Sequence, residues 1–197
     1  MKSQGQRFRA AAAGFTLIEL VVVITILGVL AAIALPKFVA LQTDARIAKL
    51  NAARGAIAAG AAVVHSAYLT RAGIADLVAC PAGGGFASNL VSGTVCTEGG
   101  LVTLANGYPA SSVLGAAGII SAAGLSSAAF APNLEQLNLE GIGASVAGTV
   151  TTISVIGGPG TAGNPGERTN TTCSFTYTEP VAAGAAPVLS PLTTTGC

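Results

Sequence analysis

The chain has 197 residues, sufficient for one domain plus an anchor, and only 9 % of them are charged, against roughly 25 % in an ordinary soluble domain. A net charge of +1, with only a local run of four basic residues from Lys37 to Arg54, argues against a nucleic-acid partner. Gly, Ala, Ser and Thr fill the space that charge leaves, and abundant Val, Ile and Leu argue against disorder.

The N-terminus carries the strongest signal. Lys2, Arg7 and Arg9 precede an apolar run from Phe15 to Leu35 in which Glu19 is the sole ionisable side chain. A secretory signal peptide has an apolar region of about 7–15 residues followed by a small-residue cut site. Ala32-Ile33-Ala34 imitates such a site, but the run is longer. A plain signal anchor needs about 20 apolar residues, which this run supplies. Neither reading explains Glu19, because an acidic side chain near the centre of a membrane helix costs about 2.5–3.5 kcal/mol.

Gly14-Phe15-Thr16-Leu17-Ile18-Glu19-Leu20 resembles the class III signal of type IV pilins and pseudopilins. The resemblance implies that a prepilin peptidase cuts between Gly14 and Phe15, that Phe15 is then N-methylated, and that the apolar helix is retained. Without the first fourteen residues the chain holds six basic and eight acidic side chains, a net −2. In this reading Glu19 pairs with the terminal amine of Phe15 on a neighbouring subunit, since burial of a carboxylate is offset only by close pairing, and the pair sets axial register. The other reading keeps Glu19 at the headgroup level, where it favours the positive end of the helix dipole.

Helical periodicity continues past the apolar run. Ile47, Leu50, Ile57, Ala61, Val64 and Tyr68 form one stripe, with Asp44, Arg46 and Lys49 off it. A helix from Phe15 to about Leu69 would extend roughly 80 Å, too long to be buried within one small domain. Pro36 removes a hydrogen bond inside it, and Gly28 is a second weak position. By resemblance, Gly28 to Pro36 is the segment that loses helical order in a filament; a simple proline kink is the alternative. Gly55 and Gly60 are either close-packing points or further weak positions. His65, the sole histidine, belongs to the surface or interface of this helix.

Beyond residue 70 the pattern predicts a small α+β head. Cys80 to Gly85 reads as loop, Leu101–Leu104 as a strand, and Asn106-Gly107 as a hairpin turn. Ser111 or Ser112 is expected to cap a short helix running through Ile120, and residues 121–145 carry no clear pattern. Thr149–Ile156 is rich in β-branched residues and reads as a strand, followed by a turn-rich stretch from Gly157 to Gly166. In Cys173–Thr178 the alternation places Cys173, Phe175 and Tyr177 on one face. Pro180 ends that strand, and Ala182 to Thr195 reads as an irregular tail. The expected head packs the second half of the long helix on an antiparallel sheet of three to five strands.

Cys80, Cys96, Cys173 and Cys197 allow three pairings. Cys80–Cys96 and Cys173–Cys197 are favoured because both close short loops, in an oxidising compartment. The second would pin the tail to the sheet and stabilise by about 3 kcal/mol on the loop-entropy account. Scattered thiols without CxxC and a lone histidine disfavour a metal site, and neither a P-loop nor a GxGxxG after a strand is present, so no cofactor is expected. Glu135 with Glu140, or Glu167 with Glu179, offers acid/base pairs with nothing to support them. Asn170-Thr171-Thr172 matches a glycosylation sequon.

Ala34-Leu35-Pro36-Lys37-Phe38, Leu41-Gln42, Asp44-Ala45-Arg46, Asn106-Gly107-Tyr108-Pro109 and Cys173–Thr178 resemble mannose-sensitive haemagglutinin pilins, a type IVa branch. The resemblance implies four parts: leader 1–14, transmembrane and assembly helix 15–36, amphipathic half 37–70, and an α+β head 71–197. It implies a non-enzymatic pilus subunit for adhesion or motility, held in the bacterial inner membrane by a single span and extracellular after assembly. Its partners would be copies of itself, a prepilin peptidase/N-methyltransferase, an assembly platform and ATPase, and an outer-membrane pore. The alternatives are a type II secretion pseudopilin and, in a different class, a membrane-anchored periplasmic binding module.

Overall fold

The computed structural model describes residues 15–71, 73–111, 114–157 and 171–197. The leader with Gly14, together with Ser112, Glu167 and Asn170, lies outside the described residues. The chain divides into two compact units that part between Gln42 and Thr43. The first contains the start of α1, an α-helix running from Leu17 to Arg71. Alanine, leucine and long unbranched side chains support helix over most of its length, and the helix is continuous through both Gly28 and Pro36.

The second unit is the head. Its remaining elements are β1 (Thr94–Thr97), β2 (Gly100–Ala105), β3 (Tyr108–Pro109), α2 (Ile119–Ala122), α3 (Leu134–Leu139), β4 (Ile142–Ala147), β5 (Val150–Val155), β6 (Ser174–Thr178) and β7 (Val188–Leu189). All strand pairs are antiparallel, in two sheets of order β1-β2-β3 and β4-β5-β6-β7. The α+β class expected from the sequence is what the chain adopts. The single sheet expected of the head is instead two.

Each sheet has its own segment of α1. Leu50, Ala53, Ile57 and Ala61 pack with Ile142, Ala144, Ile153, Val155, Phe175 and Tyr177 of the four-stranded sheet. One turn further on, Val64 packs with Val95, Val102 and Leu104 of the three-stranded sheet, with Tyr68 alongside. The helical stripe read from the sequence is thus the buried one, split between two clusters.

The Asn106-Gly107 turn joins β2 to β3, with both residues at positive φ (52° and 84°), as a tight hairpin turn requires. A side chain at Gly107 would also strike the Tyr68 ring, 2.8 Å from the position of its Cβ. The expected helix from Ser111 to Ile120 is not formed: α2 is a single turn, Ile119–Ala122. The backbone before it is engaged elsewhere, since Ala117 O accepts from Thr103 N (2.8 Å) and Ala110 O from Ile119 N (3.0 Å). Ser111 is held by Glu179 Oε2, which accepts from its N–H at 2.7 Å, and Ser111 Oγ donates to Thr149 O.

Residues 121–145, unreadable in sequence, contain α3 and β4. An Asn133/Gln136 capping box starts α3, each side chain accepting from the other's backbone N–H at 2.9 Å. The tail is more ordered than expected. β7 pairs with β6, Thr193 bridges Ser174, and Arg46 and Arg54 of α1 donate to Cys197 O and Ser190 O.

Candidate assembly site

α1 begins where Thr16 caps it. Thr16 Oγ1 accepts from Glu19 N (3.3 Å), and Glu19 Oε2 accepts from Thr16 N (2.9 Å) and Thr16 Oγ1 (2.8 Å). This is a reciprocal capping box, satisfying backbone donors that the first turn leaves open. The spacing Thr16-x-x-Glu19 carries that signal in the sequence, where attention to Glu19 alone passes over Thr16. Glu19 therefore already has a role within the single chain. Its carboxylate remains exposed and able to accept further donors.

Around it the helix surface is apolar and uncovered. Phe15 is 85 % exposed, and Leu17, Ile18, Leu20, Ile24, Leu27 and Leu30 are exposed as well. α1 is long and apolar enough to cross a membrane. A continuous apolar surface of this kind requires lipid or other protein to cover it. Thr25, the one hydroxyl in the run beyond Thr16, returns its Oγ1–H to Val22 O (2.8 Å), so it adds no unpaired donor.

The other sequence-selected residues lie elsewhere. Gly28 has nothing within 4 Å of where a Cβ would be, and Pro36 sits inside the helix. Cys80 is bonded to Cys96, and Cys173 to Cys197, with Cα separations of 5.6 and 4.8 Å. The second bond ties the end of the tail to the residue preceding β6. Gly60 is a close-packing point, its would-be Cβ 2.6 Å from Ala122 O, whereas Gly55 is open.

Among the described residues no group of three or more His, Cys, Asp or Glu side chains is placed to hold a metal ion. His65 stacks on Tyr108 (ring centroids 3.8 Å apart, planes 4° from parallel), and its Nδ1 lies 2.8 Å from Gly107 O. It is a packing residue between α1 and the β2–β3 turn. Glu140 Oε1 accepts from Ser127 Oγ at 2.6 Å, and these bonds hold its carboxyl below the usual carboxylate range. Lys49 Nζ donates to Glu140 O, locking α3 onto α1.

Residues 9–35 match the prokaryotic N-terminal methylation motif. The chain is 51 % identical over 57 residues to the type IV narrow pilus major component PilA5 of Thermus thermophilus. That similarity covers 29 % of this chain and 43 % of the relative, so it spans less than half of the relative's length. No solved structure matches the chain. With the methylation motif at the head of a long apolar helix, and small antiparallel sheets in the head, this chain is similar to type IV pilins.

Proposed function

We propose that the chain is a structural, non-catalytic subunit of a type IV pilus. A prepilin peptidase/N-methyltransferase cuts after Gly14 and methylates Phe15, and the subunit waits in the inner membrane on residues 15–36. An assembly platform and its ATPase then draw it into a homopolymer that emerges through an outer-membrane pore and serves adhesion or motility. The supporting observation is one surface: an uncovered apolar helix whose first turn presents Phe15 and an exposed Glu19 carboxylate within the methylation motif. Leaving lipid for a bundle of identical helices exchanges one apolar contact for another, so the driving specificity must come from packing and from the few polar groups. The amine of Phe15 on one copy and Glu19 on the next are of opposite charge and would be buried together. The tail pinned by Cys173–Cys197 favours a pilus over a pseudopilus in this reading. Gly28 to Pro36, helical in the single chain, is the segment proposed to extend when subunits polymerise.

Mass analysis of the mature N-terminus tests the processing step. The expected result is a chain beginning at N-methyl-Phe15; a start at Leu35 or an intact Met1 overturns the reading. Glu19→Ala tests assembly: cleavage and membrane insertion persist, and sheared fibres are lost. Normal fibres from that variant would remove the pairing.

A further inference from the structure

The head holds a cleft of about 350 Å³, lined by the second half of α1, the β1–β2 turn, the end of α2 and Phe130, all within one compact unit. Packing fixes its walls. Val64 is buried with the core of the three-stranded sheet, and Phe130 packs against that cluster. Phe130 lies over the β1–β2 turn because positions 99 and 100 are glycine: a Cβ at either would stand 2.6 or 2.8 Å from a ring carbon. Two polar groups in the cleft have no partner. Ser121 is 5 % exposed, and its Oγ has no hydrogen-bond partner among the described residues. Folded proteins leave few buried hydroxyls in that condition, so one that lines a cleft is open to completion by a ligand atom. The Glu98 carboxylate is exposed at the rim, without a hydrogen bond or ion pair among the described residues. No described lysine, arginine or histidine lines the cleft.

We propose that this cleft binds a primary alkylammonium group, with Ser121 and Glu98 accepting from it and the apolar walls covering its alkyl stem. The ligand class follows from the lining. A carboxylate with no basic side chain beside it repels anions and attracts cations. The aromatic ring of Phe130 favours a cation as well. An ammonium carries three donors and no acceptor, so it can serve the Ser121 Oγ lone pair and the Glu98 carboxylate together. Val63, Ala122 and Ala123 are apolar, and Val63 is 63 % exposed, so a methylene chain lying on them removes apolar surface from water. Neither a lone metal ion nor a phosphate fits this combination: the first has a single carboxylate and nothing for the apolar walls to hold, the second meets the wrong charge. The site is independent of how the chain assembles.

Methyl NMR of the full-length protein in zwitterionic micelles tests this, with n-butylammonium as the probe. The Val63 and Val64 methyl signals should shift and saturate with a dissociation constant on the order of 1 mM, the range open to a ligand of this size. Ser121→Ala should weaken binding about fivefold, as for one lost hydrogen bond. The same variant should raise the thermal midpoint of the unliganded protein, because an unpartnered buried hydroxyl has gone. Glu98→Gln should weaken binding about threefold and remove most of its salt dependence. Butyrate and butanol, which have the stem without the cation, should bind more weakly by about fivefold or more. Nα-acetyl-lysine methylamide carries the same group on a peptide backbone. Tighter binding of it than of butylammonium assigns the site to a lysine side chain of a protein partner, and the reverse assigns it to a free amine; either result supports the ligand class. Butyrate or butanol matching butylammonium overturns the proposal. So do shifts spread evenly over the methyl groups of the head, or an affinity that neither variant changes.

Discussion

Tyr177 is fully buried, and its hydroxyl donates to Pro109 O at 2.7 Å, joining β6 of one sheet to β3 of the other. Burial, then the charges of Glu179 and Tyr108, push its ionisation well above the usual tyrosine range. A raised pKa means that the stabilisation is complete below the unfolded value, near pH 10, and is lost as pH rises toward the folded one. Denaturant unfolding at pH 8 and pH 11 should therefore show an alkaline loss of stability that Tyr177→Phe reduces. At pH 8 the same variant should cost about 1–2 kcal/mol, for a buried carbonyl left without its donor. Glu140 carries the opposite sign: its carboxyl is held low by Ser127, so that contribution is present above the ordinary carboxylate range and fades as pH falls through the folded value. Ser127→Ala should move the Glu140 midpoint upward when followed by NMR.

The two glycines in the second half of α1 separate by what surrounds them. A methyl group at Gly60 would meet Ala122 O at 2.6 Å, so Gly60→Ala should lower the thermal midpoint and cost about 1–3 kcal/mol through displaced backbone. Gly55 has open space, and Gly55→Ala should raise helix stability by about 1 kcal/mol. Sequence offered the two glycines as equivalents, since only the element packed against each one tells them apart. Removing the second disulfide with Cys173→Ser and Cys197→Ser should cost on the order of 3 kcal/mol and release β7 from β6, visible as faster amide exchange at Val188 and Leu189.

At the scale of the molecule, the boundary between Gln42 and Thr43 separates an apolar helix from a unit that contains both cores. A chain of Thr43–Cys197 expressed in an oxidising compartment should fold as a detergent-independent monomer, checked by gel filtration and circular dichroism. Precipitation without detergent would mean that residues 15–42 contribute to the head's stability. The low charge of the whole chain fits the proposed contact between copies, and the exposed apolar residues of α1 offer it a surface.

Much of this was legible in the residues alone. The methylation motif, the lone carboxylate in an apolar run and the 3.6-residue stripe of Leu50, Ile57 and Val64 depend on local chemistry and helical period, and both are written in consecutive positions. Asn106-Gly107 marked its turn for the same reason. The split into two sheets, the single turn of α2 and the ordering of the tail were decided by partners distant in sequence. Thr103 takes the carbonyl of Ala117, Thr193 pairs with Ser174, and Arg46 reaches Cys197. Small, uncharged residues fill those segments, and their intrinsic preferences differ too little to choose a conformation before the backbone finds its hydrogen-bond partners.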